Sequence, residues 1–402
     1  MDETYFRKGF GLKTVVAGTL DAEYSARLVD RLRDGHFALT AGDVTVRLAR
    51  EFGFCYGVER AVEYAYQTRS KFPDRRTFLL GEIIHNPHVN ERLREMGITI
   101  LETNAQGRFS FGDLTAEDVV ILPAFGVTMD DFTALRAVGC VMVDTTCGSV
   151  LNVWKRVEGY ARDGFTSLIH GKHYHEETRA TASQATKYPG AHHLVVRDMA
   201  EAREVCEYIE GRGDRLRFLA KYGERASVGF DPDVHLARIG VANQTTMLAK
   251  ESLAIAAEVG RTLARSRGEE YAQANFRSFD TICSATQDRQ DAVMVLLDDG
   301  ALDAMVVIGG FNSSNTISLA ALCAERVPTY HIEDASGIDP ETGSIHYRVT
   351  GTHHHEADAG AWLAAPGPVR VGLTAGASTP NNKIGETVTR IFATRGVELS
   401  ES

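Results

Sequence analysis

Short apolar runs alternate along this chain with longer stretches whose apolar residues fall at helical spacing, and the alternation repeats three times. One run in each repeat ends in a cysteine. VTVRLAREFGFCYGVERAVEYAY holds Cys55, VMVDTTCGSVLNVWKRVEGYA holds Cys147 and FDTICSATQDRQDAVMVLL holds Cys283. Each cysteine precedes a predicted helix. Val58, Ala61, Val62, Ala65 and Tyr66 share one helical face, as do Val150, Val153, Trp154 and Val157. A second apolar run then ends in a polar cluster: TFLLGEIIHNPHVN, TSLIHGKHYHEET and AMVVIGGFNSSNT. His85, His175 and Ser313 thus stand 30, 28 and 30 residues beyond the three cysteines. A third run ends in small or hydroxyl residues, VVILPAFGVT, RIGVANQTT and VRVGLTAGAST, and leads into another helical pattern.

Three apolar strands separated by helices, three times over, form a repeat too long for a solenoid and predict three α/β domains. Such runs suit small parallel sheets buried on both faces. Ligands bind beyond the carboxyl ends of such strands, which is where all nine polar clusters would lie. The boundaries follow as an N-terminal extension over 1–47 and domains over 48–146, 147–280 and 281–402. Within the extension, residues 21–34, DAEYSARLVDRLRD, read as a short amphipathic helix. The third domain is interrupted by 333–368, rich in Gly, His, Asp and Pro and read as a loop or small hairpin. His353, His354 and His355 fall there and read as a solvated tract, because consecutive residues do not readily face one ion.

The 402 residues, 44% hydrophobic and 24% charged, have ordinary globular usage and suffice for two to four domains. No apolar stretch approaches the ~18 residues of a membrane span. The opening MDETYFRKGFG lacks the apolar core of a secretory signal, so a cytoplasmic location is expected. A net charge of −11 disfavours nonspecific nucleic-acid binding. Six cysteines without a signal point to a reducing compartment. There they serve as apolar filler, metal ligands or nucleophiles.

Three thiolates are one short of closing a four-coordinate soft metal site, which leaves a position for substrate. The intervals between Cys55, Cys147 and Cys283 are unlike those of a zinc ribbon or a ferredoxin, so their shared strand–Cys–helix setting carries the inference. Cys140, Cys206 and Cys323 read as filler. Helix capping alone explains one residue of NSSNT, Asn312 to Thr316, but not four consecutive hydrogen-bonding residues; such a loop at a helix start suits a phosphate. Ser378 and Thr379, just ahead of Pro380, have the same two readings. His173, His175, Glu176 and Glu177 could ligate a metal, relay protons or bind phosphate. His85 ends a strongly apolar run, and Gln244, Thr245 and Thr246 add amide and hydroxyl groups at another strand end.

At these residues the chain resembles a known family, the 4-hydroxy-3-methylbut-2-enyl diphosphate reductases of the methylerythritol phosphate route to isoprenoids. The likeness runs from about residue 46 to 392 through FCYGVERAV, IIHNPHVN, DTTC, HYHEE, NQTT, TICSATQDRQDAV, GGFNSSNT and TAGASTP. RKGFG and the 333–368 insertion are similar to the longer form found in photosynthetic lineages. The resemblance implies three pseudo-symmetric α/β domains around a central [4Fe–4S] cluster, with Cys55, Cys147 and Cys283 as its ligands. It further implies a diphosphate held by His85, His175, Thr246, Ser313, Ser314, Asn315 and Ser378, with Thr245 and Glu177 near the substrate's hydroxymethyl group. Shorter members carry a second diphosphate-contacting histidine in a SAHG-like motif; here PAFGVT puts Phe125 in that place.

The chemistry implied is reductive removal of the C4 hydroxyl, with Glu177 as proton donor and Thr245 holding its geometry. Electrons would come from a ferredoxin or flavodoxin, since no GxGxxG fingerprint follows a strand. Two rivals are quinolinate synthase, which also has three domains around a three-cysteine cluster, and a cluster-based redox sensor. NQTT, ICSATQDRQ and NSSN argue against the first, and strand-end clusters suited to diphosphate argue against the second.

Overall fold

The computed structural model describes residues 4–104, 107–352 and 355–399. His353 and His354 lie outside them. The strands, in chain order, begin with β1 (Tyr5–Phe6), β2 (Ala38–Ala41), β3 (Val44–Leu48), β4 (Thr77–Leu80), β5 (Ile98–Leu101), β6 (Val119–Leu122) and β7 (Val141–Asp144). Next come β8 (Thr166–His170), β9 (His193–Val196), β10 (Ile239–Asn243) and β11 (Phe276–Ser278). The last are β12 (Ala304–Ile308), β13 (Thr329–Ile332), β14 (Ile338–Asp339), β15 (Ser344–Arg348), β16 (Glu356–Ala359) and β17 (Val369–Ala375).

These strands form three sheets with orders β1-β7-β6-β4-β5, β11-β10-β8-β9 and β14-β15-β13-β12-β17-β3-β2, with β16 added beside β15. One spatial motif recurs, β7-β6-β4-β5, β11-β10-β8-β9 and β3-β17-β12-β13, with the connections permuted in the third, where β3 comes first in the chain rather than last. The outermost strand of each motif leads to a cysteine. The expected α/β architecture of small parallel sheets is therefore present. The apolar runs VVIL, VMVD, TSLIH, IGVAN and AMVVI are buried at every position, as sheets covered on both faces require.

The chain divides into two compact units. The first comprises Met1–Arg7, Arg75–Gly81 and Thr99–Cys283 and carries the first two sheets. The second comprises Lys8–Asp74, Glu82–Ile98 and Ser284–Ser402 and carries the third. Of the stretch before residue 48, β1 pairs in parallel with β7, while β2 and β3 join the third sheet through β17.

Residues 21–34 form parts of two helices, Lys13–Tyr24 and Arg27–Asp34. The break has a local cause. Ala26 is extended (φ −149, ψ 120), and this turns Val29 and Leu32 into the core shared by β3, β17 and the helix Asn381–Ala393. The insertion forms antiparallel β14, β15 and β16 on the edge of the third sheet. It also braces two loops of its own unit. Asp334 pairs with His88, which holds the carboxyl well below its usual range, and Arg348 donates to the Phe311 carbonyl.

Each unit carries a histidine kept neutral by burial. His170 ends β8 with its Nδ1 2.8 Å from Ser252 Oγ, and burial pushes its pKa down to about 4. His331 on β13 donates from Nε2 to the Gly309 carbonyl at 2.9 Å and is likewise pushed down to about 4 by burial. The unfolded chain takes up these protons near the ordinary histidine value, about 6.5, and the folded chain does not. Stability contributed by the neutral imidazoles is thus complete above about pH 6.5 and is lost as pH falls toward 4. At about 1.4 kcal/mol per pH unit across that window, each site contributes about 3 kcal/mol. Thermal midpoints should fall steeply between pH 6.5 and 4, and His331→Gln should flatten that dependence. A slope unchanged in His331→Gln would show that other groups cause it.

Candidate functional site

Each repeated cysteine is fixed by its own backbone. The Cys147 N–H donates to the Ala124 carbonyl at 3.0 Å, and two residues earlier the Thr145 N–H donates to Leu122 at 3.2 Å. The Cys55 N–H donates to Ala377 at 3.1 Å, and the Gly53 N–H to Ala375 at 3.3 Å. The Cys283 N–H donates to Thr245 at 3.3 Å, and two residues earlier the Thr281 hydroxyl contacts the Asn243 carbonyl at 3.4 Å. Backbone pairing runs on past the strand ends for two regular steps at Cys147 and, after a two-residue offset, at Cys55, while at Cys283 a side-chain hydroxyl takes the first of the two steps. A helix follows each time: Tyr56–Lys71, Gly148–Arg162 and Ser284–Asp298.

Cys55, Cys147 and Cys283 are half-buried, whereas Cys140, Cys206 and Cys323 are buried, and none of the six is in a disulfide. Burial pushes the Cys140 and Cys206 thiols up and that of Cys323 up to about 12, which suits inert filler. Partly exposed thiols at the starts of helices are suited to binding soft metals.

In the first unit, Glu177 is 1% exposed. Its Oε1 accepts from the Thr245 N–H at 2.6 Å and its Oε2 from the Thr245 hydroxyl at 3.0 Å. His175 caps the helix Glu176–Ala185, accepting the Glu177 N–H at Nδ1 (3.1 Å), so the proton of the neutral ring sits on Nε2. Phe125 meets the His175 ring edge-on, with centroids 5.5 Å apart. Gln244 joins the two loops. Its Oε1 accepts from the Lys172 N–H and the Thr178 hydroxyl, both at 3.1 Å, and its Nε2 donates to Thr246 Oγ1 at 2.8 Å. Thr281 extends the network by donating to Asn243 Oδ1 at 2.6 Å.

The second unit gathers His85, Ser313, Ser314, Asn315 and Ser378, all buried. The Ser378 hydroxyl donates to the His85 carbonyl at 3.1 Å. Gly310 lets the backbone pass close by, since a Cβ there would lie 2.6 Å from the same carbonyl oxygen. His85 Nδ1 lies 2.7 Å from Glu82 Oε2, and Asn312 Nδ2 donates to that oxygen at 3.0 Å. Ser313 caps the helix Ser314–Ala324, so capping does account for one residue of the cluster. Asn315 Oδ1 accepts the Ala377 N–H at 2.8 Å, next to the carbonyl that holds Cys55. The buried N-terminal turn of that helix, with its hydroxyls and amide, can take an anion.

Sequence reasoning passed over Thr281, Glu82 and Arg289. Arg289 Nη2 donates to the Gly53 carbonyl at 2.7 Å and Nη1 to Ala285 at 2.8 Å. Its signal was there to find. Thr286, Arg289, Val293 and Leu296 make the buried face of one helix, and a cation on an apolar stripe calls for a reason.

Small α/β sheets, each with one half-exposed cysteine whose amide is held at a strand-end loop, together with a buried carboxyl and a helix start able to take an anion, define an α/β protein with thiols suited to a soft metal. The pattern of the LytB protein family matches residues 46–392. The chain is 46% identical over 396 residues to the 4-hydroxy-3-methylbut-2-enyl diphosphate reductase of Thermosynechococcus vestitus, covering 98% of this chain and 96% of that one. It is 47% identical over 403 residues to the protein of the same name from Gloeobacter violaceus, covering 98% and 94%. A solved structure of (E)-4-hydroxy-3-methyl-but-2-enyl diphosphate reductase, the terminal enzyme of the non-mevalonate pathway, aligns with a TM-score of 0.52 at 27% identity, over 86% of this chain and 98% of that one. The reductase structure from Plasmodium falciparum shares the fold, with a TM-score of 0.63 at 19% identity over 86% and 87%. The chain belongs to the LytB family of 4-hydroxy-3-methylbut-2-enyl diphosphate reductases.

The Gln244 hub yields a test. Gln244→Leu keeps the bulk but removes the acceptor of the Lys172 amide and of the buried Thr178 hydroxyl, at about 1–3 kcal/mol for a buried group left unsatisfied. The thermal midpoint should drop, and hydrogen exchange at the Lys172 amide should speed up. Unchanged protection at Lys172 would mean that the loop is held by other bonds.

Proposed function

We propose that the chain converts (E)-4-hydroxy-3-methylbut-2-enyl diphosphate to isopentenyl and dimethylallyl diphosphate at a [4Fe–4S] cluster bound by Cys55, Cys147 and Cys283. The observation that carries this reading is the amide of each of these three cysteines, which donates to a carbonyl in the loop beyond the neighbouring strand, while the other three cysteines lie in the core. The donor set fits the group. Three thiolates leave one iron without a protein ligand, and the buried Arg289 guanidinium, whose Nε has no hydrogen-bond partner, offers positive charge beside the Cys55 loop. Such a cluster, when bound, supplies electrons and a Lewis-acidic iron for the C4 hydroxyl.

The side chains do the rest. Overall, two electrons and two protons are consumed: the C4–O bond breaks, the oxygen leaves as water, and a C–H bond forms on the allyl unit. Glu177 delivers a proton to the departing oxygen. The Thr245 hydroxyl can donate to the carboxylate or accept from the acid, so the same 3.0 Å contact serves both states of Glu177. His175 presents Nε2–H to the diphosphate, since Nδ1 is taken by the Glu177 amide. His85, Thr246, Ser313, Ser314, Asn315 and Ser378 supply the remaining donors, aided by the start of the helix Ser314–Ala324. The edge-on Phe125 ring keeps the His175 imidazole in position. A ferredoxin or flavodoxin in a cytoplasmic, reducing setting supplies the electrons. Among the described residues, no helix is long and apolar enough to cross a membrane.

The direct test is an anaerobic assay with reduced viologen and the hydroxylated diphosphate, where both isoprenoid diphosphates should form. Absence of turnover by protein that has taken up iron would overturn the reading. Cys55→Ser, Cys147→Ser and Cys283→Ser should each lose or destabilise the brown chromophore, while Cys140→Ser, Cys206→Ser and Cys323→Ser keep it. The reverse pattern would reassign the ligands.

Glu177→Gln should keep the chromophore and bind substrate, yet lose at least about 10²-fold in turnover, the lower range for a general acid. Near-normal rates would move proton delivery elsewhere, with His175 the next candidate.

A further inference from the structure

Arg289 is 4% exposed, and its partners are all backbone carbonyls. Nη1 donates to Ala285 at 2.8 Å; Nη2 donates to Gly53 at 2.7 Å and reaches Phe52 at 3.5 Å. Nε is buried with no hydrogen-bond partner, and among the described residues no carboxylate lies within ion-pair distance of this guanidinium. Other arginines pair with carboxylates while keeping contact with water themselves, as Arg47 does beside Asp299 and Arg76 beside Asp118. A buried cation without a counter-charge is among the costliest arrangements in a protein interior. Its place in the helix makes matters worse, because Arg289 lies in the second turn of Ser284–Asp298, near the positive end of the helix dipole. A fold that keeps such a group requires an anion to offset it.

The bonds of Arg289 point to where that anion sits. The Gly53 carbonyl it holds lies two residues before Cys55, in a loop already fixed by the Gly53 and Cys55 amides. Gly53 has φ +69, and a Cβ there would come within 3.1 Å of the Thr379 carbonyl, so the strap cannot shift to make room for a side chain. The helix that carries Arg289 starts at the residue after Cys283. Arg289 is therefore tied by hydrogen bonds to the loop of one repeated cysteine and by a turn and a half of helix to another.

We propose that Arg289 is the built-in counter-cation of the thiolate-bound iron–sulfur group and a positioning residue for the Cys55 loop, an inference that rests on the cluster reading above. A fixed positive charge favours the added electron, so it raises the reduction potential of the group. It does so without a titrating side chain, and the fork of the guanidinium also orders the loop.

The test uses Arg289→Gln and Arg289→Lys in the full chain after anaerobic reconstitution, with redox titration followed by absorbance and electron paramagnetic resonance. Arg289→Gln should lower the reduced-to-oxidised ratio at a fixed potential by tenfold or more, which for one electron is about 59 mV. Arg289→Lys, which keeps the charge, should recover most of that shift but release iron to a chelator faster than wild type. A wild-type potential in iron-loaded Arg289→Gln would overturn the proposal. So would an unchanged potential with a weakened diphosphate affinity, which would give the cation to the substrate instead. If Arg289→Gln takes up no iron, Arg289→Lys decides alone: a near-wild-type potential supports the charge role, and a tenfold loss overturns it. Failure of the cluster reading itself looks different, since wild-type protein would then take up no iron at all.

Discussion

The backbone bond from each repeated cysteine to the neighbouring strand end is the constraint on which the rest of this structure depends. A thiol on a free loop could point anywhere. Here the Cys55, Cys147 and Cys283 amides each donate to a carbonyl in the loop beyond the neighbouring strand, so the backbone of each cysteine is tied to the end of a sheet. The other half of each bond is a carbonyl in a small-residue loop: Ala377, Ala124 or Thr245. The same loops carry chemistry on their other atoms. Thr245 gives its carbonyl to Cys283 and its amide and hydroxyl to Glu177.

The two units solve the placement of polar groups differently. In the first, side chains hold one another. Gln244 ties Lys172, Thr178 and Thr246, Thr281 ties Asn243, and Thr245 grips Glu177 through both its amide and its hydroxyl. Every member of such a network must be satisfied for it to be stable, which makes it rigid and intolerant of change. In the second unit the backbone does more of the work. The His85 carbonyl receives Ser378, the Ala377 amide is held by Asn315, and glycines let strand-end loops pass close together. The antiparallel insertion buttresses this arrangement from the sheet edge, through Arg348 at Phe311 and Asp334 at His88.

Much of this was legible in the sequence because the signals were local. Strand, cysteine and helix follow within about twenty residues, and β-branched runs buried on both faces are hard to mistake for anything else. The bland status of Cys140 and Cys323 could be read in the same way, since Cys140 lies in the strand-like GCVMVD and Cys323 in the helical run ISLAALCAE. What the sequence concealed was non-local. Nothing near Val44 announces that β3 pairs with β17, which starts at Val369. Nothing near Gln244 reveals three partners, two of them about seventy residues away on either side of HYHEE. The break at Ala26 was hidden because the amphipathic period continues across it, and the turn depends on packing Val29 and Leu32 against a helix from the far end of the chain. Arg289 was overlooked for another reason: it sits inside a helical pattern strong enough to make one charged residue look like noise.

The pairing of β3 with β17 also orders events in time. A ribosome releases Cys55 early, together with the helix that follows it, but the Ala377 carbonyl that fixes it is made 322 residues later. The first and second sheets draw almost wholly on contiguous chain and can close as they emerge, whereas the third waits for strands from both ends. Through most of synthesis the earliest thiol is thus an untethered nucleophile, and the strand before it has an unpaired edge. The third sheet therefore closes only once β17 is made, and the interval between release of Cys55 and that closure leaves the nascent chain exposed to oxidation and to mispairing.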